Sequence, residues 1–217
     1  MLKIFNYILI IFLFFFNIAL AEKIKVFEFT ENELSKLKVK KVRGADAKTQ
    51  YTLGDNENGK FIRANANNSA SGLGKEIKID LNKTPFLNIT WKVEKDLRGI
   101  LEDSKKGHDY AARVFVVKKT GVTPLSNRAM NYVFSSNKEV NTYHTSPFTK
   151  KSIDYVLSTT KEHLNEWVTV KVNVKDHFKK FHKLDLDEIN GVAIMADTDN
   201  SKLYSISYYQ NISFSSN

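Results

Sequence analysis

The stretch "WVTVKVNVK", residues 167–175, decides the fold class. Its valines occupy alternate positions from Val168 to Val174, and polar residues fill the positions between them. Alternation with period two places the valines on one face of a strand and the polar side chains on the other. "FLNITWKVEK" (86–95) and "KEIKIDL" (75–81) repeat the pattern. Strands of this kind are typical of an antiparallel sheet with one solvated face.

Two further segments, "YAARVFVV" (110–117) and "GVAIMA" (191–196), are apolar on both faces. This composition predicts central strands that are covered on both sides. The pattern indicates a single helix, over "KDHFKKFHK" at about 175–183. The remaining predicted strands cover residues 23–29, 60–66, 129–136, 153–159 and 203–214. About ten short strands separated by Asn, Gly and Ser predict an all-β fold, an antiparallel β-sandwich of the jelly-roll type with one short helix.

The N-terminus has the pattern of a signal peptide. Lys3 precedes the apolar run "ILIIFLFFF" (8–16), and Ala19 and Ala21 occupy the positions that a signal peptidase reads. We therefore predict a signal peptide at residues 1–21, a single domain at 22–217, and a periplasmic or extracellular location. A retained membrane anchor is the alternative. No other apolar run reaches the roughly 20 residues of a membrane span, so the mature chain is expected not to span a membrane.

Composition limits the chemistry. The chain has no cysteine, which excludes disulfides, thiol nucleophiles and cysteine metal sites. Its net charge of +9 favours acidic partners, but the lysines are scattered as they are on solvated strand faces. Nucleic acid is not an expected partner of an exported protein. The sequence also lacks G-x-S-x-G, P-loop, H-E-x-x-H and dinucleotide motifs, which favours a protein without catalytic activity.

Polar residues follow the predicted strand at 191–196 in "GVAIMADTDNS". Asp197 and Asp199 have three interpretations: a calcium site, a catalytic carboxylate pair, or a polar hairpin turn. An EF-hand is excluded because Lys202 and Tyr208 stand where the glycine and the bidentate glutamate are required. Two carboxylates facing a cleft are the requirement for glycoside hydrolysis. Asp and Asn side chains also stabilise turns by binding the backbone, and a hairpin is the expectation we adopt.

Arg113 is a charged residue inside the otherwise apolar strand predicted at 110–117. A buried guanidinium is costly without a partner, so Arg113 is expected either to meet a carboxylate or to line an open groove. Asp109 falls on the same face of the strand, and Asp197 approaches from the other central strand. The pattern leaves open a structural ion pair and a ligand-binding arginine.

Five ordered motifs resemble the domain-of-unknown-function family 3047, which is found in exported bacterial proteins. They are "SASGLGKEIKIDL", "TPFLNITWKVE", "GHDYAARVFVV", "AMNYVFSS" and "GVAIMADTDNS…SYYQNISF". Phe134 stands where the family usually has tryptophan, and Gln210 where it often has glycine. The resemblance implies the fold and the export, and it implies no activity.

A looser likeness links "KVFEF" (25–29) and "YYQNISF" (208–214) to the opening and closing strands of galactose-binding-like jelly rolls. Such modules often hold a structural calcium near their termini. This likeness makes Glu28 and Asn211 candidate ligands beside Asp197 and Asp199; no other cofactor is predicted.

The leading hypothesis is a non-catalytic periplasmic protein that binds a glycan or another component of the cell envelope. Aromatic rings, including Tyr143, would stack on sugar faces while polar groups fix the orientation. The candidate ligand-binding residues are Asp109, Tyr110, Arg113, Asn131, Tyr132, Asp197 and Asp199. One alternative is a polysaccharide-active enzyme that uses Asp109, Asp197 or Asp199. Another is a structural partner in an envelope complex.

Overall fold

A computed structural model describes residues 22–37, 39–123 and 126–217. The predicted signal peptide, residues 1–21, lies outside these ranges. Most of the described chain forms strands, which in chain order are β1 (Lys23–Lys25), β2 (Val39–Lys41), β3 (Gln50–Asn56), β4 (Gly59–Asn67), β5 (Ala70–Asp80), β6 (Phe86–Lys95), β7 (Ala112–Lys118), β8 (Arg128–Ser135), β9 (Tyr143–Thr145), β10 (Ser152–Thr159), β11 (Val168–Asn173), β12 (Glu188–Asp197) and β13 (Tyr204–Ser215).

The strands form two sheets. A six-stranded sheet has the order β11-β6-β13-β4-β3, with β1 also paired to β13. A seven-stranded sheet has the order β2-β5-β12-β7-β8-β10-β9. The pairs of named strands are antiparallel, with the exception of β8 and β10, which run parallel. The predicted all-β sandwich is confirmed.

The alternating strands bury the side chains that the sequence pattern selects. In β6, Leu87, Ile89, Trp91 and Val93 have no exposed surface, and the residues between them are partly exposed. In β11, Thr169 and Lys171 lie between the valines and are exposed. The valines and the β6 side chains pack into one core between the sheets, together with apolar residues of β7 and β12. Burial of one face of each strand is what fixes the pairing register.

Short helices connect the strands. They are α1 (Glu31–Lys36), α2 (Thr160–His163), α3 (Val174–His177) and a π-helical turn at Phe178–His182. α3 and the π-helical turn confirm the helix predicted at 175–183. α1 and α2 were not predicted. No helix of the described residues has the length and apolar character needed to cross a membrane.

The strand predicted at 23–29 is wrong in its second half. β1 ends at Lys25. Phe29 has a φ of +49°, in the left-handed region, and the Thr30 side chain accepts a hydrogen bond from the Glu33 amide at 3.2 Å. A left-handed residue followed by an N-cap ends the extended chain and begins α1.

The two central strands also differ from expectation. β7 and β12 lie in the middle of the seven-stranded sheet, but only their inner faces are fully covered. Phe115 on β7 and Met195 on β12 point to the outer face and are half-buried. Apolar residues on this outer face form the floor of a pocket, described next.

Candidate ligand-binding pocket

A pocket of about 570 Å³ lies on the outer face of the seven-stranded sheet. Its floor comes from three neighbouring strands, which place Arg113 and Phe115 (β7), Asn131 (β8) and Met195 (β12) side by side. Arg113 and Phe115 point outward because Val114 and Val116, which alternate with them, are buried in the core. Asn131 pairs with Phe115 and Met195 pairs with Arg113, so they lie on the same face. Sheet register therefore assembles the pocket from positions far apart in the chain.

Arg113 and Asp197 form a buried ion pair at the edge of this floor. Each residue is 2% exposed. The Arg113 Nε donates to Asp197 Oδ1 at 2.8 Å, Nη2 donates to Asp197 Oδ2, and Nη2 also donates to the His108 carbonyl at 2.8 Å. The guanidinium lies 4.7 Å from the centre of the Tyr110 ring. The sequence suggested Asp109 and Asp197 as partners of Arg113, and in the structure the partner is Asp197. Both Arg113 and Asp197 line the pocket.

Asp109, the other carboxylate suggested as a partner for Arg113, stabilises the loop that follows β12. It is fully buried, and its carboxylate accepts hydrogen bonds from the Asn200 amide at 3.2 Å, the Asn200 side chain at 2.9 Å and the Ser201 amide at 2.6 Å. The predicted hairpin at this loop is wrong, because β12 and β13 belong to different sheets. Residues 198–203 cross from one sheet to the other, and Asp109 fixes the crossing.

Asp109, Asp197 and Asp199 bring one oxygen each within 4.8 Å of one another. Burial, together with the charge of Asp109, raises the pKa of Asp197 to about 7, although Arg113 opposes the shift. Burial and Asp109 also raise the pKa of the half-buried Asp199. Three carboxylates beside one guanidinium leave an excess of negative charge, which favours protonation or a bound cation. Of the four candidate calcium ligands, the structure places Asp197 and Asp199 together, with Asp109 as a third carboxylate.

We expect calcium to leave the melting temperature unchanged relative to EDTA. The Asp109 oxygens already accept three hydrogen bonds, and Asp197 is occupied by Arg113 and by the Tyr110 amide at 3.1 Å. A calcium ion would have to replace these donors. Differential scanning fluorimetry in CaCl₂ and in EDTA checks this. A rise of several degrees in calcium that is lost in Asp199→Asn would contradict the expectation.

The other two candidate calcium ligands lie apart. Glu28 forms an exposed ion pair with Lys25 at 2.7 Å. Asn211 lies in β13 and lines a surface depression with Trp167 and Thr169, and Glu28 does not line that depression. The structure therefore does not bring Glu28 and Asn211 together around one cavity.

A second buried network lies beside the pocket and is centred on Asp154 of β10. This carboxylate is 1% exposed. The Nε2 of His108 lies 2.7 Å from its Oδ2, the Asn131 side-chain amide donates to its Oδ1, and His144 Nδ1 lies at 3.6 Å. Burial would raise the pKa of Asp154, but the hydrogen bonds and charges of His108, Arg113 and Asn131 lower it overall. Burial lowers the pKa of His108, which Asp154 only partly opposes.

The candidate aromatic residues have different locations. The Tyr110 ring is buried beneath Arg113, and its hydroxyl lies 2.9 Å from His144 Nε2. Tyr132 is fully buried in the core between the sheets. Tyr143 is 54% exposed and packs against Phe181, with ring centres 4.5 Å apart. Neither Tyr132 nor Tyr143 lines the pocket.

Sequence reasoning missed Phe148, which is 57% exposed and lines the pocket. Its ring centre lies 5.5 Å from that of His108. His108 and Asp154 were also not predicted as site residues. An available signal for Asp154 was its charge inside the apolar strand "SIDYVLS" (152–158), the same anomaly that identified Arg113.

The two positions that depart from the family pattern lie away from the pocket. Phe134 is fully buried and packs against Trp91, with ring centres 5.4 Å apart. Gln210 donates to Asn56 Oδ1 at 2.7 Å and to the Gly59 carbonyl at 3.0 Å. Phe134 is therefore a core residue of this sandwich.

These features define a jelly-roll β-sandwich that carries a pocket of mixed polar and apolar lining on the outer face of one sheet. The sequence matches the model of the family described as "Protein of unknown function (DUF3047)" over residues 35–213, and the chain belongs to that family. No curated protein matches the sequence significantly.

Solved structures resemble the chain in fold. The family 30 carbohydrate-binding module of a cellulosomal cellulase from Clostridium thermocellum is similar with a TM-score of 0.50 at 8% identity, covering 89% of this chain and 96% of that chain. A thermostable cellulase derived from a Rhodothermus marinus enzyme is similar with a TM-score of 0.48 at 12% identity, covering 82% and 90% of the two chains. At such identities the first likeness establishes the fold alone.

Proposed function

We propose that the protein binds a carbohydrate of the cell envelope in the pocket on the outer face of the seven-stranded sheet. The observation that carries this proposal is the combination of groups in one cavity. Arg113, Asn131 and Asp197 are fixed polar groups, and the Phe148 ring is exposed beside them. Sugars present hydroxyl groups for such polar contacts and C–H faces for an aromatic ring.

We place this binding outside the cytoplasm, on the basis of the signal peptide predicted at residues 1–21. The role is binding without catalysis, because two of the three carboxylates first considered for catalysis are already engaged, and Asp199 alone does not supply the pair that glycoside hydrolysis needs. Asp109 accepts backbone amides of the loop at 200–201, and Asp197 is held by Arg113. Neither is free to protonate a glycosidic oxygen or to activate water.

A polysaccharide-active enzyme is the second candidate, and the His108–Asp154 pair favours it. A carboxylate that accepts from one ring nitrogen of histidine orients the ring as a general base. Release of reducing sugar from bacterial or algal polysaccharides by the wild type, lost in His108→Asn, would establish this second function in place of the first.

The Phe148→Ala variant tests the location of the site. We expect it to weaken binding of a glycan identified on an array by about tenfold, since losing one ring contact costs about 1.4 kcal/mol. The matched control is Tyr143→Ala, which removes an equally exposed ring outside the pocket. Isothermal titration calorimetry measures both. Equal losses in the two variants, or a loss only in Tyr143→Ala, would place the site elsewhere.

A further inference from the structure

Two hydrogen-bond acceptors on the pocket wall have no partner among the described residues. Asn131 is fully buried; its side-chain nitrogen donates to Asp154, and its Oδ1 bonds to nothing in residues 22–37, 39–123 and 126–217. His108 is 6% exposed and bonds to Asp154 through Nε2, while its Nδ1 makes no hydrogen bond within the same ranges. Both residues line the pocket.

Asp154 fixes these two groups as acceptors. An ionised carboxylate only accepts hydrogen bonds, so the atoms that face it must be donors. This requirement places the Asn131 nitrogen, and not its oxygen, on Asp154. It also places the proton of neutral His108 on Nε2, which leaves a lone pair on Nδ1. The orientation is set by Asp154 and does not depend on a ligand.

Two arginines line the pocket, Arg113 and the exposed Arg43, against four carboxylates that line it or lie directly behind it. The Arg113 guanidinium is bound by Asp197 and by the His108 carbonyl. Asp197 and Asp199 both line the cavity, and Asp154 and Asp109 lie directly behind it. The net charge of +9 for the whole chain therefore does not describe this cavity.

Unpaired buried acceptors favour a ligand that donates hydrogen bonds, because burial of an acceptor without a partner is costly. Carboxylate, sulfate and ionised phosphate groups supply mainly acceptors, and they would meet carboxylates of like charge. Hydroxyl and ammonium groups supply donors.

We propose that the pocket selects the hydroxyl-bearing edge of a neutral or amine-bearing sugar and rejects anionic sugars. This selectivity rests on the proposed function of carbohydrate binding. It assigns Asn131 Oδ1 and His108 Nδ1 as the two acceptors for ligand donors, and Asp199 as the carboxylate that favours an amine.

The test uses glycans that share a backbone and differ in one substituent. An array carries β-1,4-linked hexaoses of glucose, glucosamine and glucuronic acid, and the matching galactose, galactosamine and galacturonic acid series. We expect the anionic member of a bound series to bind about tenfold or more weakly than the neutral or amine-bearing members. Anionic hexaoses that bind as tightly overturn the selectivity while leaving glycan binding intact. Absence of binding in every series overturns both proposals.

One variant separates the effect of the ligand's charge from the effect of its shape. Asp199→Asn should reduce affinity for the amine-bearing hexaose several-fold more than affinity for the neutral hexaose, because only the charged ligand group loses an opposite charge. Asp199 is half-buried, so the substitution does not open the core. The control is Asp185→Asn, which removes an exposed carboxylate paired with Lys179. A variant Asp199→Asn that keeps the full preference for the amine contradicts the role of Asp199.

Discussion

Replacing Arg113 by methionine should lower the free energy of unfolding by about 3–5 kcal/mol at pH 9, because the substitution leaves a buried charge without its partner. Asp197 is 2% exposed and accepts two hydrogen bonds from the guanidinium. Chemical denaturation in urea measures the loss. The Arg113→Met/Asp197→Asn double variant should recover much of it, since asparagine carries no charge and retains an acceptor for the Tyr110 amide.

The pH dependence of this loss identifies its cause. Without Arg113, the pKa of Asp197 should rise above the value of about 7 that burial already produces. The unfolded-state pKa of an aspartate is about 3.9, so protonation of Asp197 favours the folded variant as the pH falls below its folded pKa. The deficit of Arg113→Met relative to the wild type should therefore shrink as the pH falls from 9 toward 7, and it should change little at lower pH, where Asp197 is protonated in both folded proteins.

The matched control is Arg98→Met, which removes an arginine whose side chain is 61% exposed and is paired with Asp96. Asp96 is only 11% exposed, but it keeps a hydrogen bond from Thr160, and the Arg98 guanidinium is mostly in water, so this variant should stay within about 1 kcal/mol of the wild type. A fully stable Arg113→Met protein, or a deficit that does not change with pH, would show that the Arg113–Asp197 pair does not carry the stability assigned to it.

The layers of the fold follow from sequence patterns, whereas the pairing of the strands does not. Alternation in β6 and β11 specifies which side chains enter the core, and the core side chains of β6 are those it selects. Period two identifies the face of a strand but contains no information about its neighbour. The parallel pairing of β8 with β10, and the separation of β12 and β13 into different sheets, therefore could not be predicted.

The same limit applies to the pocket. Arg113 could be identified because a charge inside an apolar strand demands a partner. Its neighbours arise from register: Asn131 pairs with Phe115, and Asp154 pairs with Asn131 on the next strand. Asn131 and His108 precede Asp154 by 23 and 46 positions in the chain, and both share a hydrogen-bonded network with it. The apolar outer faces of β7 and β12 predicted a covered strand, but the structure places part of that surface on a pocket floor.

Asp154 is the second residue whose removal should have a large effect. Asp154→Ala leaves the His108 and Asn131 donors buried without an acceptor, which costs about 1–3 kcal/mol for each group. We expect a loss of roughly 2–5 kcal/mol in urea denaturation. Asp55→Ala, which removes a carboxylate that is 64% exposed, should change stability by less than about 0.5 kcal/mol.

A titration distinguishes the orienting role of Asp154 from simple packing. The pKa of His108 is already lowered by burial, and Asp154 is the group that raises it. Removing Asp154 should therefore lower the His108 pKa further, so that the ring stays neutral to a lower pH. NMR titration of the histidine ring protons measures this shift, with exposed His163 as the internal reference. In this variant, neutral His108 lacks the carboxylate that holds its proton on Nε2. Nδ1 is therefore no longer fixed as an acceptor, and glycan affinity should fall together with the His108 pKa. An unchanged His108 pKa in a folded Asp154→Ala protein would mean that this carboxylate does not orient the ring.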